Sequence, residues 1–322
     1  MGIIARTIVE RLGLALLTLF IVSVLIFSSM SLLPGDFARA ILGQSATPET
    51  VAAFRTQIGL DRPATERYFT WLGGAVHGDF GDSFASRPGA ERRVIDVIGP
   101  RLRNTLTLAG LTALIAIPLA ISLGIITALW RNSWFDRIIN ATTLTTISVP
   151  EFFVAYVVIL LLAVKFPLFH SLSTVRPGMG FLETLENLAL PVLTLTLVIV
   201  AHMMRMTRAA IVNVLGSPYI EMAKLKGASP TTIVLRHALP NALAPIASVI
   251  SFNLAYLIAG AVIIEVVFVY PGVGQALVDA VRTRDVPVVQ ACALLFALAY
   301  ILLNLIEDLI AIGTNPRLLH PR

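Results

Sequence analysis

The sequence predicts an all-α integral membrane protein with six transmembrane helices, both termini on the cytoplasmic side and a helical extracytoplasmic segment between spans one and two. Three observations carry that prediction. Of 322 residues 57% are hydrophobic and only 13% charged, with a mean hydropathy of +0.84, far too apolar for a soluble chain of this length. Six runs are long enough to cross a ~30 Å hydrocarbon core as helix: Leu12 to Leu33, Thr105 to Trp130, Ile138 to Val164, Asn187 to Met204, Asn241 to Ile264 and Val286 to Ile306. The basic residues are also unevenly distributed, and Lys and Arg in short loops resist translocation. With the N-terminus inside, the inner segments collect Arg6, Arg11, Arg131, Arg137, Arg205, Arg208, Lys224, Lys226, Arg236, Arg317 and Arg322, whereas the short outer loops hold only Lys165, Arg176, Arg282 and Arg284.

The net charge of +5 follows from this topology and is not a nucleic-acid footprint. The single cysteine, Cys292, lies in an apolar span, so it offers neither a disulfide framework nor a cysteine metal site. No tandem repeat or long Pro/Gly/Ser linker divides the chain, which reads as one membrane domain over 1–322.

The first span exceeds a signal-peptide apolar region and no small-residue cleavage site follows it, so a retained anchor is expected. In the outer segment, 34–100, Thr47-Pro48-Glu49 is a helix start, Val51, Phe54 and Ile58 recur at helical spacing, and Gly59 stops the turn. Pro63 opens a second short helix whose Tyr68 and Trp71 suit a membrane surface or a neighbouring helix. "GDFGDSF", Gly78 to Phe84, reads as a structural turn, since its glycines outweigh a metal reading of its aspartates.

Polar residues inside spans are costly and therefore informative. Glu151 follows Pro150 about midway along the third span, where a kink is expected; together with Asn253 and Tyr256 it is a candidate lining of a translocation path. His202 fits an interfacial position near the inner end of span four, and Glu265 marks the outer end of span five.

The loop Glu221 to Asn241, "EMAKLKGASPTTIVLRHALPN", is the most polar long stretch of the second half. Tyr219 to Lys226 is rich in helix formers, with Glu221 early and Lys224 and Lys226 late, matching the helix dipole. Gly227 ends that helix as a left-handed cap would, and Ser229-Pro230 starts a second helix running to about His237. Pro240-Asn241 then leads back into the membrane. A basic loop resting on the bilayer lipid is the alternative that composition alone leaves open.

The spacing Glu-x-Ala-x-x-x-Gly, followed by Leu-Pro, is met by Glu221, Ala223, Gly227, Leu239 and Pro240. It resembles the loop by which permease subunits of bacterial ABC importers engage their ATPase. "LPGD" at Leu33 to Asp36, "IGLDRP" at Ile58 to Pro63, "GDFGDSF", "RLRNTL", "RMTRAAIVNVL", "FVYPGVGQALVDAV", "RDVPVVQ" and a C-terminal "NPRL" resemble, in order, the dipeptide/oligopeptide/nickel permease family of type I importers. The resemblance covers essentially the whole chain and is closest to the first of the two permease subunits. Met222 in place of a small residue and His237 in place of an apolar one depart slightly from the wider superfamily.

The resemblance implies that the stretch 215–240 is a cytoplasmic coupling loop, with Glu221, Ala223, Lys224, Gly227, Ala228, Ser229, His237, Leu239 and Pro240 as its contact and corner residues. It also implies a second permease subunit, two cassette ATPases from one or two genes that bind the ATP and Mg, an extracytoplasmic binding protein, and the bacterial inner membrane as location. Family members carry dipeptides, longer peptides, nickel chelates, glutathione and some sugars, with specificity resting largely in the binding protein. No G-x-x-x-x-G-K-[ST] phosphate loop occurs, so this chain is not the ATPase. A proton-coupled transporter using Glu151 and His202 leaves the loop unexplained. An intramembrane hydrolase lacks both a G-x-S-x-G elbow and an H-E-x-x-H pair.

Overall fold

A computed structural model describes residues 3–31, 39, 42–86, 91–176 and 178–313. The described residues contain helices and no strand; one isolated bridge joins Asp82 to Arg93. In chain order the helices are α1 (Ile3–Ser31), α2 (Pro48–Gln57), α3 (Ala64–Val76), α4 (Val94–Leu129), α5 (Trp134–Ser148), α6 (Glu151–Lys165), α7 (Phe181–Leu215), α8 (Pro218–Leu225), α9 (Pro230–Val267), α10 (Val273–Thr283) and α11 (Val286–Gly313). Five of these, α1, α4, α7, α9 and α11, are long and apolar enough to cross a bilayer, and α5 with α6 makes a sixth if that bent pair is one span. The "LPGD" and "NPRL" motifs lie outside the described residues.

Three expectations about the spans need correction. The third is not a helix kinked at Pro150 but two helices bent by 106°. Val149 and Pro150 both leave the helical region, with ψ of 134° and 143°. A proline disfavours helical geometry in the residue before it, so two extended residues in succession break the helix outright. Second, α4 and α7 outrun the apolar windows: α7 continues through Arg205 and Arg208 to Leu215, because a hydropathy window stops at the first charges while Ala, Met, Arg and Leu go on favouring helix. Third, Pro240 does not separate the second loop helix from span five. A π turn over Ile233–Ala238 precedes it, and α9 runs unbroken from Pro230. The wider turn accommodates the ring and the missing donor.

The chain divides into two compact units. The first comprises Met1–Ala15, Thr107–Tyr270 and Ala299–Arg322. Its main core gathers Leu108 and Ala116 of α4, Leu188, Leu195 and Met203 of α7, and Ile264 of α9. A second cluster sets Ile220, Ile233 and Val234 against Ala128 and Ile211. Arg11 pairs with Asp308 at 3.0 Å.

The second unit comprises Leu16–Leu106 and Pro271–Leu298. Its core joins Val94 and Ile98 to Val273, Ala276, Ala280, Val288 and the buried Cys292. The Thr47 signal is realised as a reciprocal cap with Thr50, and Gly59 takes φ +69°. Tyr68 and Trp71 choose the neighbouring helix: Tyr68 packs edge-on against Phe27, with its hydroxyl 2.8 Å from Ser23 Oγ. "GDFGDSF" is a turn, with Gly78 and Gly81 at positive φ. Asp285 holds that turn, accepting from the Ser83 hydroxyl and the Phe84 N–H. Asp79 accepts from the Gly81 N–H and from Arg93, which hold its carboxyl below the usual range.

Candidate functional site

The α7–α9 connection is built from short-range chemistry. Ser217 precedes Pro218 at the first position of α8, and Glu221 lies in its first turn with Lys224 in its last. The helix ends in a Schellman cap: the Gly227 N–H donates to Lys224 O at 2.9 Å, and the Ala228 N–H donates to Ala223 O at 3.1 Å. Gly227 supplies the φ of +80° that this cap requires. Two residues on, Ser229 Oγ accepts from the Thr232 N–H at 3.3 Å, and Pro230 opens α9. One helix therefore closes and the next opens within six residues, Leu225 to Pro230, and the corner has little freedom.

The inner face of the connection is anchored. Ile220, Ile233, Val234 and Ala238 are buried against Ala128 and Ile211, with Ala223, Ala228 and Leu239 half-covered beside them. The Tyr219 hydroxyl donates to His237 O at 3.4 Å and Asn241 Nδ2 donates to the same oxygen at 2.8 Å, so His237 holds the start of the span through its backbone. The outer face is open: Glu221, Lys224, Lys226, Ser229 and Pro240 are exposed, and so are the apolar Tyr219, Met222 and, at 81%, Leu225. A rigid corner with an anchored back and an exposed apolar front is suited to docking.

The candidate path residues fall in two places. Glu151 opens α6 at the 106° bend, and the Tyr256 hydroxyl of α9 donates to its Oε1 at 2.5 Å. One turn along α9, Gly260 leaves room for the carboxyl: a Cβ there would come within 2.9 Å of Glu151 Oε2. That oxygen is buried and has no hydrogen-bond partner among the described residues. His202 of α7 lies beside Tyr256, ring centroids 5.3 Å apart. Asn253 is turned into the helix packing instead, its Nδ2 donating to Val249 O at 2.8 Å, with Met206 Sδ at 3.8 Å. Glu265 lies near the end of α9 and is fully buried.

Sequence inspection missed Gly260, whose role needs the carboxyl opposite, and the pairing of Asp136 with Arg208 across 72 positions. An acid three residues after Ser133, in the first turn of a helix, was the available signal for Asp136.

Comparison with known proteins fits these features. The family model described as "Binding-protein-dependent transport system inner membrane component" matches residues 120–320, which contain both the α7–α9 connection and the Glu151 cluster. Its N-terminal companion model matches residues 4–109. The glutathione transport system permease protein GsiC of Escherichia coli is 38% identical over 314 residues, covering 96% of this chain and 97% of that protein. GsiC of Shigella flexneri gives the same identity and coverage. The chain therefore belongs to the binding-protein-dependent transport system inner membrane components, as a non-catalytic, multi-pass permease subunit of the peptide/oligopeptide class of ABC importers.

Proposed function

We propose that this chain, working as a single permease domain, translocates a small peptide-like solute such as glutathione, and that its α7–α9 connection is the cytoplasmic element coupling it to ATP hydrolysis. The observation that carries the coupling is the doubly capped corner at Gly227 and Ser229, with Tyr219, Met222 and Leu225 exposed on its outer face among Glu221, Lys224 and Lys226. An exposed apolar front set among charges suits a groove on a cassette ATPase. The partners are a second permease subunit, two cassette ATPases of one or two gene products, which bind the ATP and Mg, and an extracytoplasmic binding protein that delivers the solute. Glutathione as cargo is supported by the name of the relatives at 38% identity. The cluster of Glu151 and Tyr256, at a broken span, is the proposed polar lining of the path, with Asn253 one turn away on α9.

The test is to purify the chain from its native membrane in mild detergent, identify what accompanies it, and measure MgATP hydrolysis and glutathione uptake after reconstitution. Copurifying cassette ATPases, with hydrolysis weakened by replacing Glu221 and Gly227, are the expected result. A chain that emerges alone, or uptake that survives ATP depletion and collapses with an uncoupler, overturns the reading.

A further inference from the structure

Below its apolar window, α7 carries a buried charge pair. Arg208 Nε donates to Asp136 Oδ1 and its terminal nitrogen to Oδ2, both at 2.8 Å. Asp136 is 3% exposed, and its remaining contacts are all made within its own turn and helix. The Asn132 N–H donates to Oδ2 at 2.9 Å, Asn140 Nδ2 donates to Oδ1 at 2.6 Å, and Ser133 Oγ caps the Asp136 N–H at 3.1 Å. The acid is thus fixed to the start of α5 by groups beside it, and among the described residues its one distant partner is Arg208. A two-pronged contact between a planar guanidinium and a carboxylate fixes orientation as well as distance.

An adjoining face of the same stretch of α7 is held as closely. Gly124 of α4 faces Thr207, where an added Cβ would come within 2.7 Å of Thr207 Cγ2 and 3.1 Å of Met204 O. The end of α7 is therefore seated against α4 and tied to α5. From Arg208 the chain runs to the end of α7 at Leu215 and into α8 at Pro218. From Asp136 it runs along α5 to the 106° break, after which Glu151 meets Tyr256.

We infer that the Asp136–Arg208 pair is the positioning contact that carries displacement of the α8 corner to the broken span, so that the α6 end responds to nucleotide only while the pair is intact. The inference rests on the coupling role proposed above, and it assigns the transmitting residues. A purely apolar contact at this seam would let α7 slide along α5. A paired carboxylate and guanidinium cannot slide without leaving a buried charge unpaired.

The experiment uses the complete complex with cassette ATPases and measures thiol labelling at two introduced cysteines, Lys226→Cys on the corner and Phe152→Cys beside Glu151, with and without MgATP and vanadate. The native Cys292 is fully buried, so background labelling is low, whereas Phe152 is 49% exposed. With the pair intact, nucleotide should change labelling severalfold at both positions. In Asp136→Asn the change at 226 should persist and the change at 152 should vanish. Should Asp136→Asn fail to assemble, Arg208→Lys replaces it, keeping the charge and losing the fork. A nucleotide response at 152 that survives these variants, or a response at 226 with none at 152 in the intact complex, overturns the inference alone. Silence at 226 in the intact complex overturns the coupling role and the inference together.

Discussion

Gly227 allows a graded test of the corner, because its backbone and its space make separate demands. Its φ is +80°, yet a Cβ built there meets nothing within 4 Å. Alanine therefore brings no clash, only the cost of a left-handed backbone, about 1–2 kcal/mol. Asparagine tolerates that region better and should cost less. Proline can adopt neither the angle nor the N–H bond to Lys224 O at 2.9 Å, and should cost about 3 kcal/mol or more. Since 1.4 kcal/mol is about tenfold in an equilibrium, exchange of the Ala228 amide, which closes the cap on Ala223, should quicken roughly tenfold in Gly227→Ala and further in Gly227→Pro. Solute moved per ATP hydrolysed by the reconstituted complex should fall in the same order. Two results would refute the reasoning: an alanine variant that loses coupling while the Ala228 amide exchanges as before, or a proline variant with unchanged coupling.

Three further substitutions probe contacts within one compact unit or the other. Gly260→Ala should push Glu151 off Tyr256, lowering thermal stability in detergent by about 1–3 kcal/mol, whereas Tyr256→Phe removes one hydrogen bond without crowding and should cost less; a neutral Gly260→Ala would mean that α6 is not held there. Asp285→Ala removes the acceptor that serves Ser83 and Phe84 and should loosen the turn by about 1.5–3 kcal/mol, read as faster tryptic cleavage at Arg92 and Arg93; unchanged cleavage would show that the turn stands without it.

What the sequence disclosed and what it concealed divide by range. The caps at Thr47, Gly227 and Ser229 were legible because each is complete within about four residues, and backbone donors at a helix end have few alternatives. The spans were legible as apolar windows, but their ends were not, since α4 and α7 continue where hydropathy stops. Pro150 and Pro240 present the same local signal and give opposite outcomes. At Pro150 the preceding Val149 is extended and the helix breaks, whereas before Pro240 a π turn keeps the helix whole. The prolines themselves do not distinguish the two sites; Ser148-Val149 favour helix less than Ala238-Leu239, and the packing of Ile233, Val234 and Ala238 against Ala128 and Ile211 holds the helix ahead of Pro240. The meetings of Glu151 with Tyr256 and of Asp136 with Arg208 cross 105 and 72 positions, and no periodicity in one sequence reports them.

The unbroken course of α9 has a mechanical consequence. From Pro230 to Val267 it is 38 residues, a shaft of ~57 Å at ~1.5 Å per residue, with the Gly227 corner at one end and the buried Glu265 near the other. A helix interrupted at Pro240 would act as a hinge, letting its two parts tilt separately. A continuous helix resists such bending, so the stretch from Pro230 to Ala238 and the span beyond it keep one direction. The π turn is a place where such a shaft could slip, since shedding one residue from it would turn the two ends by ~100° relative to each other. Pro240, directly downstream and without an N–H to give a tighter turn, holds the bulge in place.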